Sequence, residues 1–183
     1  MKRMLVAVCV FVTTMTFAQT EKKSWLVGGG LSLKTGENLS QFVFNPTAGM
    51  FVANNFVLGA SLNFDFSKFG NTKANAFGIG PFARYYIGAA TTRPFVVTEY
   101  NYETLKTTNS ISNSKIITNG NSFLFGLGFA TFVTHNIAIE GISGYSYSKY
   151  KDTKGSSGFN LRLGFGLYFN RNSVTELKSN VLE

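Results

Sequence analysis

The stretch "FNPTAGMFVANNFVLGASLNFDF", Phe44 to Phe66, decides the fold. Phe44, Met50, Val52, Phe56, Leu58, Leu62, Phe64 and Phe66 all occupy even positions, so two strands folded about an Asn54-Asn55 turn carry them on one face. Alternation alone does not say whether that face meets a protein core or lipid. Pro46 lacks an amide donor, and in such a strand it calls for a bulge or a place near the rim.

The rest of the chain repeats the pattern. Alternating runs span Ser24 to Leu33, Gln41 to Val52, Asn55 to Ser67, Ala74 to Ile87, Pro94 to Thr104, Ser122 to Thr134, Asn136 to Tyr150 and Ser157 to Asn170. The fifth alternates most weakly. Connections after odd-numbered runs ("KTGENLS", "KFGNTK", "LKTTNSISNSKIITNGN", "KDTKGS") are long, polar and lysine-bearing, whereas "ANN", "GAATTR" and "HN" are mostly tight. An eight-stranded antiparallel up-and-down transmembrane β-barrel, with short periplasmic turns and longer extracellular loops, has this asymmetry.

Composition favours lipid outside. The 183 residues fit one domain, and 14% charged residues falls well short of the roughly 25% of soluble proteins. The second face carries Gly28, Gly30, Ser32, Asn45, Thr47, Gly49, Gly59, Ser61, Asn63, Gly78, Gly80, Gly126, Gly128, Gly144, Gly164 and Gly166. Water-facing sheet surfaces carry Lys, Glu and Thr instead; small residues suit the cramped interior of an eight-stranded barrel. Trp25, Tyr85, Tyr145 and Tyr147 near strand ends suit aromatic girdles, while Tyr168 faces inward by parity.

The start, "MKRMLVAVCVFVTTMTFAQT", has a basic head, a short apolar run and Ala18 before Gln19, the pattern of a cleaved secretory signal peptide. The expected organisation is a signal peptide over 1–18, a short segment over 19–23, the barrel over 24–170 and a short periplasmic tail over 171–183. Cys9, the sole cysteine, lies within the leader and too early for a lipoprotein site. Cleavage leaves 15 basic against 9 acidic residues, a net +6. The cations gather in connections rather than among aromatics, which argues against nucleic acid.

By parity Asp65, Arg84, Glu99, Glu140 and Arg162 point into the lumen, where unpaired charge is costly and pairing with one another and with Asn, Ser and Tyr is expected. Such a network either plugs the barrel or lines a narrow polar channel. Catalytic groupings are scarce: His135, the only histidine, falls in a tight connection, and no cofactor is expected. "GIGPFA", Gly78 to Ala83, matches a loose G-x-G-x-x-A pattern, but Pro81 rules out the helix a dinucleotide site needs.

"PTAGMFVANNFVLGASLNF", "GIGPFARYYIG" and "FGLGFATFVTHNIAIEGISGYSY" resemble the small outer-membrane β-barrel family of OmpA-, OmpX- and OmpW-like proteins, over about Trp25 to Phe169. "RLGFGLYF" also resembles the outer-membrane assembly signal, with Arg162, Gly164, Leu167 and Phe169 at its specified positions. The resemblance implies export to the outer membrane of a Gram-negative-type bacterium and handling by periplasmic chaperones and the β-barrel assembly machinery. It departs from many members in that "NRNSVTELKSNVLE" follows the final aromatic. The leading expectation is a non-enzymatic barrel serving envelope integrity or surface interaction, with outer-membrane lipids as partners. Lys34, Lys68, Lys73, Lys106, Lys115, Lys151 and Lys154 would meet lipopolysaccharide phosphates. The alternatives are a narrow channel or carrier for small solutes, and a soluble lipocalin-like binder with the greasy face inward.

Overall fold

The computed structural model describes residues 20–111 and 114–169. The expected signal peptide and the tail at 171–183 lie outside these residues. Eight strands follow in chain order: β1 (Trp25–Gly36), β2 (Leu39–Ala53), β3 (Phe56–Phe69), β4 (Thr72–Tyr86), β5 (Thr92–Asn109), β6 (Lys115–Phe132), β7 (Ile137–Tyr150) and β8 (Ser156–Phe169). Each pairs antiparallel with its sequence neighbour, and β8 returns to β1 to close a barrel. Closure leaves no free sheet edge at the closed end, where the chain enters at Trp25 and leaves at Phe169.

The alternating face points outward. Leu31, Phe42, Leu58, Ile79, Tyr102, Leu127, Ile139 and Leu163, one from each strand, are all exposed. A belt of this kind around the whole circumference is far beyond the patch of a few hundred Å² that a monomeric soluble protein shows. The inward face holds Arg, Glu, Asn, Ser and Gly beside an apolar cluster near the termini, while the alternating greasy face lies outside, opposite to the lipocalin-like alternative. Phenyl rings stack across neighbouring strands on the outside, Phe42 with Phe66 and Phe44 with Phe64, at centroid distances of 6.3 and 6.2 Å.

At the Asn54-Asn55 turn, Asn55 takes a positive φ of 63°, which asparagine tolerates better than most residues. A register shift between Phe51 and Ala53 supplies a bulge beside it. Pro46 sits elsewhere, mid-strand, where the β2–β3 register is interrupted between Phe44↔Phe64 and Thr47↔Ser61. Neither a bulge nor a rim makes up for its missing donor. The side-chain amide of Asn45 donates to the Leu62 carbonyl at 2.6 Å, on the residue that would face Pro46 if the register ran through.

The long polar connections are where structure and sequence reading differ. Two residues separate β1 from β2, β2 from β3 and β3 from β4, and four or five separate the others. Most of "LKTTNSISNSKIITNGN" is strand: Lys106 pairs with Ile117 and Thr108 with Lys115, and the Thr104 hydroxyl donates to Asn119 at 3.0 Å. Thr107, Thr108, Ile116, Ile117 and Thr118 are β-branched and keep the ladder going. The polarity there marks where the sheet enters water, not where it ends.

One junction is shorter than the rest. β1 pairs with β8 only from Trp25↔Phe169 to Leu31↔Leu163. Beyond it, Ser32 to Gly36 continue against β2 alone, and Ser156 to Arg162 against β7 alone.

Candidate functional site in the lumen

Parity places Leu26 of β1, Phe51 of β2, Val57 of β3, Phe82 and Tyr86 of β4, Phe95 and Val97 of β5, Phe132 of β6 and Tyr168 of β8 inside the half near the termini, all buried. Their rings touch: Tyr86 and Phe95 at 5.1 Å, Phe51 and Tyr86 at 5.8 Å, Phe132 and Tyr168 at 4.8 Å. Below this plug the segment Thr20 to Ser24 seals the mouth. Asn55 N–H donates to the Thr20 carbonyl at 2.7 Å, and the Thr20 hydroxyl donates to Asn55 Oδ1 at 2.6 Å. Arg93, expected in a turn, instead faces inward at this level: it donates to the Thr20 hydroxyl at 2.7 Å and lies 4.9 Å from the Phe132 ring centroid.

Above the plug come two buried ion pairs. Arg84 Nη1 reaches Glu140 Oε2 at 2.7 Å, and its guanidinium lies 5.4 and 5.0 Å from the rings of Phe82 and Phe95. Tyr168 donates to the other Glu140 oxygen at 2.7 Å, which leaves Tyr86 to donate to Tyr168 at 2.9 Å. One step outward, Arg162 Nη1 meets both Glu99 oxygens at 2.9 Å and also donates to Asn45 Oδ1. Asn45 thereby links the Pro46 repair to the lumen. Inward glycines leave room for these long stems: a Cβ on Gly30 would collide with Cγ and Cδ of Arg162.

The outer third is different. Glu103 accepts from Asn63 at 2.9 Å, Ser122 at 2.6 Å and Tyr150 at 2.6 Å. Asp65 accepts from Gln41 at 2.7 Å and Ser67 at 2.6 Å. These partners are all neutral, and both acids line a cavity of about 180 Å³ that Glu99 and Arg162 also line. Of the inward charges read from sequence, Arg84 with Glu140 and Arg162 with Glu99 come together, while Asp65 stands apart from both pairs. Glu103 was missed, although it shares parity with Glu99; the weak alternation of its strand hid it. Arg93 was missed because it was assigned to a turn.

The residues of the assembly pattern lie along β8. Arg162 points inward, Gly164 passes so close to β1 that an added Cβ would strike the Gly29 carbonyl, and Leu167 and Phe169 pair with Val27 and Trp25. His135 lies in the connection before β7. Among the described residues, no three His, Cys, Asp or Glu side chains group as a metal site.

Solved structures share this architecture. The N-terminal β-barrel domain of Pseudomonas aeruginosa OprF superposes with a TM-score of 0.57 at 16% identity, covering 81% of this chain and 98% of that one. Neisserial surface protein A gives 0.54 at 18%, with 80% and 95% covered, and Ail, the attachment invasion locus protein of Yersinia pestis, 0.53 at 16%, with 81% and 99%. The fold is that of the small outer-membrane β-barrels. Closure of the strand ladder meets hydrocarbon's demand that backbone groups be satisfied within the sheet, the outward apolar belt suits lipid, and together they fit an integral membrane barrel. No protein-family model and no curated protein sequence matches it.

Proposed function

We propose that the chain is a closed, non-enzymatic barrel of the outer membrane that serves envelope integrity or surface interaction. The observation that carries this is the filled lumen: Leu26, Phe51, Val57, Tyr86 and Tyr168 are fully buried across the half nearest the termini. A solute entering the outer cavity meets Arg162 and Glu99, then Arg84 and Glu140, then this apolar plug. Nothing in that sequence of groups favours the channel alternative. In this orientation the ends of β1 and β8 at Trp25 and Phe169 face the periplasm, and the outer cavity faces the exterior. The four residues of the assembly pattern would present β8 to the β-barrel assembly machinery, after periplasmic chaperones deliver the chain.

Two measurements test the reading. In planar bilayers the purified barrel should show no unitary conductance; steady channel openings would overturn the closed-barrel assignment. In cell fractionation the protein should pellet with outer membranes, and unboiled samples in detergent should migrate apart from boiled ones. Recovery in the soluble fraction without a mobility difference would overturn the membrane assignment.

A further inference from the structure

On the outside of the barrel, at the end opposite the termini, a groove of about 370 Å³ runs across β1 to β4. Its walls follow two adjoining rows of outward positions. One row is apolar, Leu33 opposite Phe42 opposite Phe66. The next row outward runs from Thr35 through Ser40 to Lys68 and Lys73, which stand directly opposite one another on β3 and β4. Lys34 also lines the groove, and Leu33 stands beyond the last β1–β8 pair, where the strand edge is uncovered.

Two features ask for an occupant. Like charges directly opposite across an antiparallel pair are destabilising, and an anion between Lys68 and Lys73 would relieve that repulsion. No carboxylate among the described residues forms an ion pair with Lys34, Lys68 or Lys73. An apolar row beside a pair of facing lysines matches an amphiphile with an acyl chain and an anionic head. We propose that this groove binds a phosphate-bearing glycolipid of the outer leaflet, with acyl chain along Leu33, Phe42 and Phe66 and phosphate between Lys68 and Lys73. The inference rests on the outer-membrane reading above and narrows the general expectation of lysine contacts to one face.

The test uses the full chain refolded in dodecylmaltoside micelles and titrated with diphosphoryl lipid A. Each lysine near an anionic lipid surface contributes enough that losing two weakens binding about 30-fold. K68Q/K73Q should therefore bind about 30-fold more weakly and lose most of its salt dependence, K68R/K73R should bind within about threefold of wild type, and K149Q/K154Q on the far side should do the same. F66S should also weaken binding while leaving salt dependence intact. A second readout guards against misfolded variants: without lipid A, K73Q should unfold at a urea concentration equal to or above wild type, and lipid A should raise the wild-type midpoint more than that of K73Q. Equal losses in K68Q/K73Q and K149Q/K154Q, or equal binding of phosphate-free lipid A, would overturn the proposal. A barrel that shows the unboiled mobility difference but no lysine-dependent binding defeats this inference alone; absence of that mobility difference defeats the membrane reading first.

Discussion

Removing the Glu140 carboxylate should be among the most costly single changes to this barrel. Glu140 is 4% exposed and accepts two hydrogen bonds of 2.7 Å, from Arg84 and from Tyr168. Arg84, 3% exposed, has no other carboxylate partner among the described residues, and its Nε is already without a hydrogen bond. Glu140→Ala strands that buried guanidinium between Phe82 and Phe95 without its counter-charge. Breaking a buried pair from one side costs about 3–5 kcal/mol, whereas replacing both partners by apolar groups is often neutral or better. The double change Arg84→Met with Glu140→Leu should thus return to within about 1 kcal/mol of wild type, far from additive. Urea unfolding of barrels reconstituted in lipid vesicles measures this. Trp25, the only tryptophan, faces lipid at the start of β1, so its emission follows extraction from the membrane. A loss below about 1 kcal/mol for Glu140→Ala, or additive losses in the double variant, would refute the picture of a buried, charge-paired lumen.

The other buried acids separate by partner. Glu99→Gln should cost about 3 kcal/mol in the same unfolding assay because Arg162 loses its counter-charge, while Glu103→Gln, whose partners are all neutral, should cost no more than about 1 kcal/mol. Gly164→Val should prevent barrel closure, since its side chain would drive into the Gly29 backbone; unboiled gels should then show only the unfolded band. Phe51→Ala combined with Tyr168→Ala hollows out the plug, and planar bilayers should record intermittent openings in this variant against a silent wild type.

How much of this was legible in the sequence depended on which physical rule governed each part. Period-two alternation assigned faces where it was strong, because a one-residue slip would bury the wrong face along the strand, and it failed to report Arg93 and Glu103 in the weakly alternating β5. It placed Asp65, Arg84, Glu99, Glu140 and Arg162 inside on that ground alone. Which acid each arginine meets depends on how far neighbouring strands are staggered around the barrel, and Arg84 and Glu140 lie 56 residues apart. No local pattern reports that offset. The extended hairpins escaped notice for a related reason: polarity of Thr, Asn and Lys was equated with loop, although β-branched residues pair as well in water as in lipid. Pro46 shows a third kind of gap, because its compensation comes from the side chain of its own neighbour, which only the interrupted register exposes.

The short β1–β8 junction makes the barrel mechanically uneven. A wall joined over seven residues at one line, and over nearly whole strands elsewhere, concentrates strain where that line stops, between Leu31 and Leu163. Arg162 is the next residue beyond that point on β8, and it is anchored across the tube to Glu99 on β5 and to Asn45 on β2. It therefore behaves as a rivet at a crack tip. Pulling or thermal agitation that peels the unjoined ends of β1 and β8 apart must first extract a buried arginine from its carboxylate before the tear can run toward Trp25.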